Sequence, residues 1–471
     1  MIAFVPELYT LLTAGIFLAL CLGRENAGRD FRLALALSAL GLLICVFWAG
    51  ADGLIFSGTY RIDAFSQVFK CLVYMGFFLS LCLCGDLAGV DAGRHSEFYF
   101  LLSVCTLALM LLASCVHLLT IYLALELSSY SLYILVYLRK GREKGIEAAL
   151  KYFLIGASAS AVMLFGFALL YGSGQSGYLA DLVRELPYRM KEPVVLIGFI
   201  LSLSGFFFKL ALFPFHFWAP DAYEGAPHQA SAYIATASKA AAIAVLLRMA
   251  VLSGGAGHVA WLLVVLAVLS MTVGNLAAVV QQDLKRLLAF SSVAHAGYVM
   301  IGILSMNRLG AAGAVFYAVS LVIMKFACFM VVTKSAQGGS NIRVQDLAGL
   351  HRRAPLLALA LMLALFGLAG IPPTIGFTAK LLVFTAAMKE GLLWLVLVAM
   401  LNVVISLYYY LLVVKAAYFT EPETSVEKAL PVSAPVQILS LLLVAAMIAG
   451  GLYPGPLIEL ANMMAAGLKA F

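Results

Sequence analysis

Charge is scarce in this sequence: only 11% of its 471 residues are Asp, Glu, Lys or Arg, less than half of the roughly 25% typical of soluble domains. With 64% hydrophobic residues beside so few ions, a globular surface could not be made polar. That excludes a soluble enzyme, a disordered scaffold and a nucleic-acid binder. The net charge of +7 does not restore the last of these, because the lysines and arginines are scattered through loops or sunk inside apolar runs. Cysteine is poor in pattern. All eight (Cys21, Cys45, Cys71, Cys82, Cys84, Cys105, Cys115, Cys328) fall within or at the ends of apolar segments, and Cys82–Cys84 has no ligand-spaced counterpart. The chain is therefore expected to hold no iron–sulfur cluster and no metal. A Walker loop, a zinc-ligand cluster and a plausible haem ligand pair are also missing. Gly172-Ser173-Gly174-Gln175-Ser176-Gly177 spells a dinucleotide fingerprint, but it follows an apolar helix and opens no βαβ unit, so it reads as a flexible loop. The start, Met1 to Glu7, has no basic region and reads as the beginning of an uncleaved membrane helix.

What the sequence has is apolar length. Its mean hydropathy is +1.03, and runs of about 20 apolar residues, each able to cross a ~30 Å hydrocarbon core, recur throughout. Cutting at charged and Gly/Pro-rich breaks predicts an all-α polytopic membrane protein with fourteen spans. They cover about 7–23, 31–49, 63–85, 97–114, 116–138, 146–171, 193–214, 229–252, 258–280, 286–305, 309–334, 355–388, 393–419 and 432–452. A short tail follows. Odd-numbered loops hold fifteen Lys and Arg (Arg24 and Lys428 among them) and even-numbered loops seven. Odd loops should thus face the cytoplasm and both termini the outer side.

An internal repeat stands out. Gly205-Phe206-Phe207-Phe208-Lys209-Leu210 in span seven and Gly376-Phe377-Thr378-Ala379-Lys380-Leu381 in span twelve share G-F-x-x-K-L at an offset of 171 residues. Lys151 and Lys325 are offset by 174, and Lys239 and Lys415 by 176. The spacing predicts two five-helix units, and five being odd, the second is inverted relative to the first. The expected segments are 1–96 (three helices), 97–257 (first repeat), 258–420 (second repeat) and 421–471 (last helix and tail). Pro214 in span seven and Pro372-Pro373 in span twelve should break both helices, and matched breaks are where ions pass in such folds.

A few charges lie where lipid would expel them. Glu126 sits mid-span, Lys209, Lys239, Lys325 and Lys380 lie well inside apolar runs, and Lys151 has an intermediate depth. Each central charge costs about 2.5–3.5 kcal/mol, so these side chains should face the bundle interior, water or one another. A buried lysine changes charge when its partner moves. Glu126 with a line of lysines thus reads as a horizontal proton relay. His295, inside span ten, is a further relay candidate, whereas His216 and His228 flank a loop.

At these residues the sequence resembles the antiporter-like membrane subunits of respiratory complex I. The resemblance is carried by Lys209 to Pro227 (KLALFPFHFWAPDAYEGAP), Asp283 to Tyr298 (DLKRLLAFSSVAHAGY) and Gly370 to Lys380 (GIPPTIGFTAK). Among three paralogous subunits it is most similar to the N-type, through LELSSYSLYIL, EAALKYFLIGASASA and ATASKAAAIAVLLR and through lysine at 380. Pro227-His228-Gln229-Ala230 departs from the usual family wording. The resemblance implies that Glu126 and Lys209 form a coupling pair, that Lys239 is the central relay lysine and Lys380 the distal one, and that Lys151 matches a further family lysine. It also implies proton translocation coupled to quinone reduction in other subunits. Those subunits would carry NADH (or another donor), FMN, iron–sulfur clusters and quinone, none bound by this chain. The neighbours would be M-type and small K-type subunits within a bacterial inner membrane. A subunit of a multisubunit sodium/proton antiporter is the alternative.

Overall fold

The computed structural model describes residues 2–23, 26–255, 257–336, 338–421 and 430–468. Arg24 and Lys428, counted above toward sidedness, lie outside the described residues. Apolar composition leaves backbone amides no partner but one another, so the described residues are mostly helix. The first helices are α1 (Val5–Cys21), α2 (Ala27–Phe47), α3 (Ala64–Cys82), α4 (His95–Ser114), α5 (Leu118–Tyr137) and α6 (Arg142–Gly174). A surface helix α7 (Leu179–Arg189) leads into α8 (Pro193–Ser202), α9 (Ser204–Leu210) and α10 (Trp218–Gly225). Next come α11 (His228–Tyr233), a π-helical segment (Ile234–Ser238), α12 (Lys239–Val251), α13 (Gly257–Val279), α14 (Leu284–Leu304) and α15 (Arg308–Ser335). The last are α16 (Leu350–Arg353), α17 (Pro355–Ala369), α18 (Ile375–Lys389), α19 (Leu393–Phe419), α20 (Ala434–Leu452) and α21 (Gly455–Gly467). Among the described residues, twelve helices are long and apolar enough to cross a membrane, with α1 and α17 as shorter apolar helices.

Three local features differ from the sequence expectation. A short antiparallel hairpin, β1 (Gly53–Ile55) with β2 (Tyr60–Ile62), interrupts the helices, because Phe56, Ser57 and Gly58 turn the chain through positive φ. The run Gly172–Gly174 is the last turn of α6 rather than loop. The expected tail is α21, which packs on α15.

Polar caps set the helix starts. Asp63, Asp283 and Asn307 accept backbone amides at the heads of α3, α14 and α15, each such cap contributing about 1 kcal/mol. The interior is formed by α11–α12, α14 and α15, each with 94% of its apolar window buried, whereas α2 and α20 lie at the rim with 28% and 22%. Loops gather in two groups. Those after α3, α5, α10, α13 and α15 meet through Val90–Arg139, Arg139–Ala226, Arg139–Asn341 and Asp283–Arg343. Those after α2, α4 and α6 meet through Tyr60–Cys115 and His117–Tyr178.

Candidate functional site

Two helices stop inside the bundle, and each presents its last carbonyls to a lysine. The α8–α9 run ends where Ala211 adopts φ 59°, and α17 ends where Gly370 adopts φ 87°. At each stop the left-handed turn returns amides to Phe207 and Phe208, or to Phe366 and Gly367, and among the described residues the very last carbonyls of the helix receive none. Lys239 Nζ donates to the Leu210 carbonyl at 2.7 Å. Lys380 Nζ donates to the Leu368 and Ala369 carbonyls, both at 2.8 Å, and lies 4.8 Å from the centre of the Tyr298 ring. The negative end of a helix dipole favours a cation, by up to ~2 kcal/mol in buried geometry. The two stops, Ala211 and Gly370, are 159 residues apart. The lysine offset of 171 therefore does not mark equivalent places: Lys209 lies just before its break and Lys380 well after its own.

Lys209, on α9, reaches across to α5. Its Nζ donates to Ser128 Oγ at 2.5 Å and Ser129 Oγ at 3.1 Å. Glu126 lies on the same helix but makes no ion pair with Lys209; its Oε1 has no hydrogen-bond partner among the described residues. The two expected partners are thus neighbours across α5 and α9, with serine hydroxyls holding the cation.

Lys239 opens the central helix directly after the π-helical segment, a local widening often found at functional sites. Beside it is a cavity of about 10 Å³ bounded by Lys239, Ser292, His295 and Lys325 among others, just large enough for one water. Lys325 Nζ donates to Ser291 Oγ at 2.6 Å and to the Leu288 carbonyl at 2.9 Å. Ser291 Oγ shares a 2.5 Å hydrogen bond with the Tyr410 hydroxyl, and Tyr410 reaches His295 Nε2 at 3.2 Å. His295 Nδ1 then meets the Tyr317 hydroxyl at 2.8 Å. A string of hydroxyl, imidazole and amine groups, every member buried, can pass protons by successive donor–acceptor exchange.

The structure therefore brings Lys209, Lys239, Lys325, Lys380, His295 and Glu126 into the bundle. Among the described residues, none of the four lysines forms an ion pair. Lys151 is apart from them, its side chain 45% exposed and paired with Glu147 at 2.6 Å and Asp221 at 2.8 Å. Lys415 is exposed on α19. His228 Nε2 contacts the Ser340 carbonyl. Sequence reasoning missed Lys70, which is buried on α3 beside Glu7. It also left Arg248 and Lys285 among loop cations, although both are buried. The signal for Lys70 was available: a lone lysine six residues into an apolar run. Among the described residues, no group of three His, Cys, Asp or Glu side chains is placed to hold a metal ion.

Residues 115–406 match the family model described as NADH:quinone oxidoreductase/Mrp antiporter, TM. The chain is 57% identical over 468 residues to NADH-quinone oxidoreductase subunit N 2 of Syntrophobacter fumaroxidans, covering 99% of each sequence. It is similar in structure to a chain of respiratory complex I from Thermus thermophilus, with TM-score 0.85 and 34% identity over 97% of this chain and 99% of that one. A chain of the Mrp complex from Dietzia gives TM-score 0.87 at 22% identity over 98% of this chain and 97% of that one, a likeness of fold alone.

Proposed function

The chain belongs to the NADH:quinone oxidoreductase/Mrp antiporter family of membrane subunits, and on that premise we propose that it is the N-type membrane subunit of a proton-translocating, complex I-type NADH-quinone oxidoreductase. Protons move through Glu126, Lys209, Lys239 and Lys380, with Lys325 and His295 joining the middle of the line and Lys151 at its edge. Electron transfer from NADH or another donor, through FMN and iron–sulfur clusters to quinone, takes place in other subunits. The chain crosses a bacterial inner membrane fourteen times with both termini outside, as 1–96, 97–257, 258–420 and 421–471. The middle two segments are inverted repeats; the paired helix stops at Ala211 and Gly370 support that reading. M-type and K-type subunits are its neighbours. The named relatives favour this function over a sodium/proton antiporter subunit, to which the likeness is one of fold.

One observation carries the proposal: four buried lysines are held by hydroxyls and carbonyls, with no carboxylate paired to any of them among the described residues. Lys239, Lys325 and Lys380, each such a cation held only by neutral acceptors, lack the Coulomb partner that would fix the charge. Each can give up its proton without stranding a buried anion.

The test is Lys239→Ala in the assembled complex, read as proton pumping and quinone-reductase activity in membrane vesicles. Both should fall by more than about tenfold, equivalent to at least about 1.4 kcal/mol of lost transition-state stabilisation. Lys151→Ala should change either by less than about twofold, since a half-exposed ion pair contributes only about 0–1 kcal/mol. Full pumping by Lys239→Ala with normal assembly would refute the relay.

A further inference from the structure

A second group of buried charges lies away from the lysine line, in the first three helices. Glu7 in the first turn of α1 and Lys70 on α3 are 0% and 1% exposed, with Nζ and Oε1 only 2.6 Å apart. The Tyr60 hydroxyl, at the end of the hairpin, donates to the same Oε1 at 2.6 Å, and the Tyr60 ring is 5.1 Å from Lys70 Nζ. Glu7 Oε2 has no hydrogen-bond partner among the described residues. Phe4 and Phe56 meet the Tyr60 ring edge-on.

Such a pair is a poor structural device. Two charges removed from water are rarely repaid by their mutual attraction unless every lone pair is satisfied, and here half of the carboxylate is not. Moving one proton from Lys70 to Glu7 turns the ion pair into a neutral amine and acid, which a dry site tolerates at least as well. The site also adjoins the central machinery. Asp63, which caps α3 ahead of Lys70, accepts Arg248 Nη2 at 2.9 and 3.1 Å. Arg248 lies on α12, nine residues after Lys239, about 13 Å along the helix. Nearer the middle, Gly76 of α3 abuts Ala237 of the π-helical segment: a β-carbon there would come within 2.8 Å. The helix that carries Lys70 is thus tied to the helix that carries Lys239 at two levels.

We propose that Glu7, Lys70 and Tyr60 form a proton-exchange site on the hairpin side of the membrane, separate from the lysine line; it rests on the proton-translocating function proposed above. In each cycle an N–H bond of the Lys70 ammonium breaks and an O–H bond forms at Glu7. The Glu7 acid then gives its proton to water on the hairpin side, and the Lys70 amine takes up the next proton moved by the chain. Tyr60 holds the carboxyl in place through its hydroxyl.

The assembled complex in proteoliposomes tests this, with protons moved per electron pair and the infrared carboxyl band of Glu7 as readouts. Glu7→Gln should abolish that band and lower the proton ratio, Tyr60→Phe should lower the ratio with α1 and α3 unaltered, and Glu7→Gln with Lys70→Met should not restore it. An unchanged ratio in Glu7→Gln overturns the proposal, as does recovery in the double variant, which is the behaviour of a pair that only balances charge. If Glu7→Gln does not assemble, Tyr60→Phe decides, and an unchanged ratio there also overturns it. Lys239→Ala measured alongside separates the two readings. Its loss of pumping beside an intact Glu7→Gln ratio removes only the hairpin-side site, whereas its full pumping removes the relay beneath both.

Discussion

Lys209→Met is expected to yield a complex that assembles, keeps a heat stability near that of the wild type, and pumps protons more than about tenfold more slowly. The two halves of that expectation have separate causes. A central charge costs about 2.5–3.5 kcal/mol to hold in the membrane, and methionine fills similar space without it. The partners are not stranded either, because Ser128 and Ser129 both already donate to the Leu125 carbonyl at 2.7 and 2.9 Å. Removing the cation thus strands neither hydroxyl, although the buried Glu126 Oε1, without a hydrogen-bond partner among the described residues, loses the positive charge across from it. What disappears is the amine that reaches α5 from the residue just before the Leu210 carbonyl that holds Lys239. Thermal unfolding of the purified complex and pumping in vesicles check the two halves independently. Normal pumping would remove Lys209 from the path, and a large loss of heat stability would show that its charge is structural.

Gly370→Ala is expected to impair pumping while every lysine stays in the chain. Gly370 has φ 87°, and a β-carbon there would come within 2.9 Å of Lys380 Cδ and 3.3 Å of its Nζ. The backbone conformation alone costs an L-residue about 1–2 kcal/mol. The contact adds a second effect, pushing Lys380 off the Leu368 and Ala369 carbonyls. Gly391→Ala separates the two: Gly391 has φ 75° at the other end of α18, and a β-carbon there would meet nothing within 4 Å. Both variants should lose similar stability, and only Gly370→Ala should lose pumping. Equal pumping in the two would mean that the seat of Lys380 at the end of α17 is not needed.

Hydropathy reports how deep a residue sits, and here depth is legible. Lys209, Lys239, Lys325 and Lys380 lie inside apolar runs, and all four are buried. Direction around the helix is not legible. Lys151 lies in an apolar run too, yet it points out of the bundle toward Glu147 and Asp221, and the hydrophobic pattern of α6 contains nothing to distinguish it. Loop assignment fails for a related reason. Arg248 and Lys285 stand at helix ends, where charge is ordinary, but their neighbours fold over them. Glu7 and Lys70 are 63 residues apart, and their pairing depends on α1 and α3 both packing against α4, a tertiary fact. The hydroxyls of Ser291, Tyr410 and Tyr317 are common in membrane helices and become a string only when α14, α15 and α19 converge. The lysine spacing that suggests a repeat can be read in the sequence, whereas the paired helix stops at Ala211 and Gly370, 159 residues apart, can be read only in the backbone.

The seats of Lys239 and Lys380 also bear on how the chain can vary. Their acceptors are peptide oxygens of Leu210, Leu368 and Ala369, and every amino acid carries that oxygen. No codon change can delete them. A mutational scan would therefore score Leu210 or Ala369 by side-chain size alone and pass over their chemical part. Genetics reaches these oxygens only indirectly, through the residues that shape the turn behind them. Direct access requires chemistry at the main chain, such as an ester in place of the amide that follows Leu210 or Ala369, which weakens the carbonyl as an acceptor and leaves every side chain as it was.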